Sequence, residues 1–291
     1  MDVSDDETML VVTDKRRRSI GRAIHEAAES VGAEAVYAEV AADEKHGTEP
    51  PAAVASAMSS SDVVLAPTTR SLTHTEARKD ACEAGSRVGT MPGITEEVMH
   101  GAMLADYEKI ASDADELLDA LEDVEEIRIE SDAGTDLTLE VGERDWHPDD
   151  GICHEAGCVT NLPAGEVYIA PTGGEGTLVV DGSFAGLGKL DEPIRIEFED
   201  GRATSVSHDD LREKMDEAGE CGRNLAELGI GINPSATLIG NVLQDEKVRG
   251  TVHVAVGDSS GFGGDVECDL HLDGVVKEPH LYADGKDLEL P

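Results

Sequence analysis

Two histidines and an aspartate crowd the stretch GTVHVAVGDSSGFGGDVECDLHLDGVV, residues 250–276, of a chain that has only ten histidines. His253, His271 and Asp273 each sit inside an apolar, strand-like run. Residues i and i+2 of a strand share a face, so His271 and Asp273 can chelate one ion together. Val252 and Val254 point opposite to His253, which turns that imidazole away from them. Upstream, Glu166 opens an apolar run in NLPAGEVYIAP, and Glu227 lies among Leu, Ala and Gly in NLAELGIGIN. A carboxylate in such surroundings is costly to bury unless it is paired or coordinated. Taken singly, each of these residues reads as an ordinary polar strand position. As a set, Glu166, Glu227, His253, His271 and Asp273 offer two imidazoles and three carboxylates, a donor set for a divalent metal.

Positioning these side chains requires two kinds of architecture. Residues 1–125 alternate strand and helix patterns: MLVVTD, then RRSIGRAIHEAAESVGA up to Gly32, EAVYAEV, PPAAVASAMSS, SDVVLAPT, HTEARKDACEAG and SRVGTMPG. A long acidic helix over 95–124 closes the series. Such alternation predicts a parallel sheet covered by helices. From residue 126 the pattern becomes short strands and turns. EEIRIESDAGTDLTLEVGER reads as a hairpin, and PIRIEFEDGRATSVS as another turning at Asp-Gly, with a single helix, DDLREKMDEAG, among the strands. The expected fold is therefore α/β: an N-terminal parallel-sheet α/β domain, 1–125, followed by a β-rich (α+β) metal-binding catalytic domain, 126–291.

Other stretches are less pointed. PTTRSLTHTEAR (67–78) follows a strand and leads into a helix, at the sheet edge where ligands usually sit. The Thr68–His74 loop could contact a substrate, while Thr73 or Thr75 could equally cap the helix. GTMPGITEE reads as a loop with a helix cap. The five cysteines are odd in number and irregularly spaced, which suits a reducing compartment. Cys153 and Cys158 lack a second pair to complete a zinc clip and read as small core residues. His147 and His208 sit in polar, turn-like text, outside the metal set.

Composition narrows the setting. Acids outnumber bases 63 to 23, a net charge of −40 distributed along the whole chain. Such a surface repels itself in dilute buffer, and molar salt confines that repulsion to about 3 Å. The reading is a cytoplasmic protein of a salt-loaded cell. Nucleic acid is excluded as a partner, because phosphate binding needs a basic footprint. No segment approaches the roughly 18 apolar residues of a membrane span, and the acidic N-terminus lacks a signal peptide's features.

The segments LPAGEVYIAP, ELGIGINP, GNVLQDEKVRGTVHVAVGD and HLDGV resemble the thermophilic metallopeptidase family of aminopeptidases T and S. In the first domain, DVVLAPTTRSLTHTEAR resembles its shorter archaeal members. The resemblance implies two metal ions, zinc, cobalt or manganese, on Glu166, Glu227, His253, His271 and Asp273. It implies an aminopeptidase-like hydrolase that cleaves N-terminal residues from peptides. Glu166 and Glu227 would bridge the ions, or one would act as general base. Seven residues after His253, where that family has a tyrosine, stands Ser260, with Phe262 nearby. The same superfamily includes dihydroxypyridine ring-cleaving dioxygenases that use iron(II). His253, His271 and Asp273 also match the two-histidine, one-carboxylate set of such iron enzymes. A metal-stabilised binding protein is the third reading. The expected partner is a peptide or small-molecule substrate, with room for a homo-oligomer.

Overall fold

A computed structural model describes residues 1–42, 45–142 and 144–291. The chain folds as two compact units, 1–104 with 151–164 and 105–150 with 165–291. The boundary expected near residue 125 thus falls inside the second unit.

The first unit holds a five-stranded, all-parallel sheet in the order Glu34–Val40, Thr8–Asp14, Val63–Ala66, Arg87–Thr90, Val159–Asn161. Helices Arg18–Val31, Ala52–Met58 and Glu76–Glu83 follow the first three strands in sequence, as the alternating text predicts. Gly32 ends the first helix at φ 94°, where its amide closes on the last carbonyls. Thr75 is the N-cap of the Glu76 helix, its hydroxyl accepting the Arg78 amide at 3.3 Å. Thr73 instead joins Thr90, at 2.8 Å, and Asn161. Both hydroxyls therefore tie the loop to its own unit.

Two expectations need correction here. The helix drawn over 95–124 is broken into Glu96–Met99, a 3-10 turn Ala102–Leu104 and a helix Tyr107–Leu121. Gly101 falls in the break, and the Asp106 side chain caps a new start by accepting the Lys109 amide. The cysteines also pair: Cys153 is disulfide-bonded to Cys158, and Cys221 to Cys268, with Cys82 free. The first pair is therefore a local cross-link, not two independent core residues. An odd count hid the pairing because one thiol is left over.

The second unit contains two seven-stranded sheets. One is built around the expected hairpins, Glu126–Glu130 with Asp136–Glu140 and Ile194–Glu199 with Arg202–Val206. The latter turns at Asp200 and Gly201, both at positive φ. The other sheet runs Gly188–Lys189, Ser183–Phe184, His271–Lys277, Thr251–Gly257, Leu225–Gly231, Glu166–Ile169, His147–Asp149. One continuous core joins the sheets, with Ile127, Ile129, Leu137 and Leu139 from the first and Val167, Leu228, Ile230, Val252 and Val254 from the second. No described helix is long and apolar enough to cross a membrane.

Candidate metal centre

Register on the second sheet decides which side chains meet. Antiparallel partners share a face, and the pairs are Asp149 with Glu166, Glu166 with Gly231, Gly229 with His253, Glu227 with Ala255, Ala255 with Asp273, and Gly257 with His271. All five predicted residues therefore project from one face. The alternating valines and leucines fill the core from the other. Small residues at 229, 231, 255 and 257 keep the polar face open. A Cβ on Gly229 would come within 2.0 Å of the His253 ring, so the imidazole lies directly across that glycine.

The cluster is buried: Glu166, Glu227, His253 and Asp273 are at most 7% exposed. The Nε2 of His271 lies 3.0 Å from Glu227 Oε2 and 3.1 Å from Asp273 Oδ1. His253 Nε2 lies 3.5 Å from Glu227 Oε1 and 3.7 Å from Glu166 Oε2. Glu227 thus stands between the two imidazoles. Among the described residues, potential ligand atoms approach one another within 4.8 Å in three overlapping triplets: Glu166–Glu227–His253, Glu227–His271–Asp273 and Glu246–His253–Asp273. The trio His253, His271 and Asp273 is not itself one of these; Asp273 meets each histidine in a separate triplet.

The structure adds residues that the sequence did not single out. Lys247, 1% exposed, donates to Glu166 Oε1, to Glu246 Oε1 at 2.9 Å and to Asp149 Oδ2 at 3.3 Å. Asp245 accepts the amides of Ile239 and Gly240, both at 2.8 Å, and so secures the turn that delivers Glu246 and Lys247. Rings line the partly exposed side. Phe262 stacks on His271 with centroids 4.4 Å apart, Tyr168 meets Phe262 edge-on at 5.8 Å, and His147 lies 5.6 Å from Tyr168. His147 consequently belongs to the rim of the site, contrary to its polar, turn-like text. His208 lies outside, capping helix Asp209–Glu217 through its Nδ1.

Electrostatics favour a cation. Among the described residues, five carboxylates, Asp149, Glu166, Glu227, Glu246 and Asp273, face one lysine ammonium. Burial disfavours a charged His253, yet Glu227 and Glu166 raise it to about 9. His271 is likewise held well above its ordinary value: Asp273 and Glu227 outweigh its burial. Burial would raise Asp273, but the His271 imidazolium draws it down to about 2. Glu227, also buried, is held low by hydrogen bonds from both histidines. Burial pushes Glu166 up to about 8 against the pull of Lys247. Lys247 itself stays firmly protonated, because Glu166, Glu246 and Asp149 outweigh its burial.

The donor set fits a metal. His271 Nδ1 lies 2.7 Å from the Asp258 carbonyl oxygen, which can only accept. Nδ1 therefore carries a proton, and the Nε2 of a neutral ring points a lone pair at two carboxylate oxygens. Three acceptors converging on one place call for a proton or a cation between them. Two further atoms, Glu166 Oε2 and His253 Nδ1, are buried with no hydrogen-bond partner among the described residues.

Comparisons with known proteins agree on the fold and redirect the chemistry. The family model described as NicX: 2,5-dihydroxypyridine 5,6-dioxygenase matches residues 1–288. The 2,5-dihydroxypyridine dioxygenase structure from Pseudomonas putida KT2440 superposes with a TM-score of 0.83 at 21% identity, covering 99% of this chain and 91% of that one. Wild-type AmpT from Thermus thermophilus superposes with a TM-score of 0.68 at 17% identity, covering 97% of this chain and 92% of that one. No curated protein sequence matches the chain. The expected aminopeptidase-like hydrolase is thereby overturned, because the family match spans almost the whole chain. The AmpT likeness is one of fold. The segments that resembled the metallopeptidases reflect a scaffold that the two kinds of enzyme share.

Proposed function

The chain belongs to the NicX family, the 2,5-dihydroxypyridine 5,6-dioxygenases, and we propose that it is an iron(II)-dependent enzyme that opens a dihydroxylated pyridine ring with dioxygen. His253, His271 and Asp273 would hold the metal, with Glu227 between the imidazoles. The observation that carries this assignment is the convergence of His271 Nε2 with carboxylate oxygens of Glu227 and Asp273, 3.0 and 3.1 Å away. When bound, iron(II) supplies the redox chemistry that lets dioxygen react with the ring.

The protein's own groups supply orientation, charge balance and proton handling. The Asp258 carbonyl fixes the His271 tautomer and ring plane. Lys247 pairs with Glu166, Asp149 and Glu246 and offsets part of the negative charge on that flank of the cluster. Glu166, pushed up to about 8, titrates near neutrality, where a general acid–base group is most effective. Its Oε2, which has no hydrogen-bond partner among the described residues, is the atom to exchange a proton with a substrate hydroxyl. Burial of the floor keeps bulk water from these groups.

The test is oxygen uptake by iron(II)-loaded protein supplied with 2,5-dihydroxypyridine. The expected result is one molecule of oxygen consumed for each ring lost. Protein that carries bound iron yet consumes no oxygen with this substrate would overturn the proposal.

A further inference from the structure

The floor of the site is charged and buried, but its mouth is made of rings, in a chain with only three phenylalanines, four tyrosines and one tryptophan. Two of the phenylalanines, Phe184 and Phe198, are core residues at 1% and 2% exposure. Phe262 is different. It ends the 3-10 turn Ser260–Phe262, between the strands that carry His253 and His271, and no residue of that turn is buried. It therefore does not anchor the turn in the core.

Other contacts do that work. Ser259 and Val266 pair through their backbones at 2.9 Å, and the Ser259 hydroxyl accepts the Val266 amide at 3.1 Å. Asp258 accepts the Cys268 amide at 3.0 Å. Arg144 donates to the Gly263 carbonyl at 3.2 Å and pairs with Asp265 at 2.8 Å. The Cys221–Cys268 disulfide ties the segment to the 3-10 turn Gly219–Arg223. With the segment held by polar and covalent links, the Phe262 ring is left over for another task.

Its placement indicates which. Phe262 lies nearly parallel to His271, 19° between planes, and nearly perpendicular to Tyr168, 82° between planes. Tyr168 projects from the metal face two residues beyond Glu166, beside Gly229. Two perpendicular rings next to a metal-ligating imidazole form a corner. A flat ring bound at the metal would meet the partly exposed surfaces of these rings, face-on to one and edge-on to the other, the two geometries that aromatic pairs prefer. An aliphatic ligand of the same charge gains neither contact.

We propose that Phe262 and Tyr168 form an aromatic corner that selects planar-ring ligands over aliphatic ones at the metal centre. The inference rests on the ring-opening dioxygenase reading, but its test is binding, not turnover. Iron(II)-loaded protein is titrated anaerobically with catechol and, separately, with glycolate, an aliphatic oxygen chelator. Wild type should prefer catechol. Phe262→Leu should weaken catechol binding about tenfold, leave glycolate binding within about twofold and retain its iron. Phe262→Tyr should restore catechol affinity. Equal weakening of both ligands would assign Phe262 a structural role through His271 and overturn the proposal. Unchanged catechol binding in Phe262→Leu, or a wild type that binds neither ligand, would overturn it as well. Failure of the dioxygenase reading itself would appear separately, as catechol preference without oxygen uptake.

Discussion

His271 donates its Nδ1 proton to the backbone carbonyl of Asp258 at 2.7 Å, and this bond aims the opposite nitrogen at the carboxylates. The acceptor belongs to the main chain just after the His253 strand. The strand that carries one histidine therefore continues into the residue that orients the other. Such outer contacts set the tautomer and direction of a metal-binding imidazole.

Gly229 is the most sensitive neutral position in this arrangement. Its missing Cβ is the space into which the His253 ring fits, 2.0 Å from where that atom would stand. Gly229→Ala must displace the imidazole or the strand. We expect a folded protein that is about 1–3 kcal/mol less stable, as for overpacking in a core, and that binds metal less tightly. Gly285→Ala meets no atom within 4 Å but sits at φ 74°, so it tests backbone strain without touching the site. Thermal unfolding and metal titration of both variants are the check. Equal metal affinity in the two would contradict the role given to Gly229.

Acidity should act more strongly on the metal-free form than on the metal-loaded one. Without metal, the folded protein raises His253 from 6.5 to about 9. Its contribution to stability is complete below about pH 6.5 and is lost as pH rises through about 9. Glu166, raised from 4.5 to about 8, acts in the same direction. Asp273, lowered from 3.8 to about 2, contributes above its ordinary value and loses that contribution as pH falls through about 2. A bound cation replaces the histidine protons, so metal affinity should rise with pH over the neutral range. Calorimetry should show the melting temperature of the metal-free protein falling between pH 6.5 and 9, with a smaller fall or none once metal is present. Parallel declines in the two forms would count against the assignment.

Salt is the other solution variable. A net charge of −40 is unscreened at low ionic strength. Reducing salt from about 1 M to about 0.1 M lengthens the screening distance from about 3 to about 10 Å. The melting temperature followed by circular dichroism should fall over that range. An unchanged melting temperature would remove the basis for reading the charge as an adaptation to salt.

Much of the centre was legible in the sequence because its strands alternate strictly. Val252, Val254 and Val256 mark the core face of one strand and Leu272 and Val276 that of the other, so His253, His271 and Asp273 must face the site. Lys247 was not legible. In QDEKVRG a lysine reads as solvated turn, and its burial depends on Glu166 and Asp149, about 80 and 100 residues away in sequence. His147 and Asp149 were missed for a related reason. Their strand is three residues of polar text, defined only by pairing with Glu166–Ile169. The Cys221–Cys268 link spans 47 residues and joins a 3-10 turn to an irregular segment, so spacing carried no signal of it. Function was misread because LPAGEVYIAP, ELGIGINP and HLDGV mark a scaffold, and the reaction run on a scaffold is not fixed by its fold.

Everything proposed for this chain turns on whether the polar face of the sheet is one cation site holding iron(II) through His271, Asp273 and His253. Equilibrium dialysis of metal-free protein against iron(II) under anaerobic conditions answers this, with Asp273→Ala and His208→Ala alongside wild type. Wild type and His208→Ala should bind about one iron per chain, and Asp273→Ala should lose at least about tenfold in affinity. Equal binding by all three proteins, or no binding by wild type, would contradict the assignment.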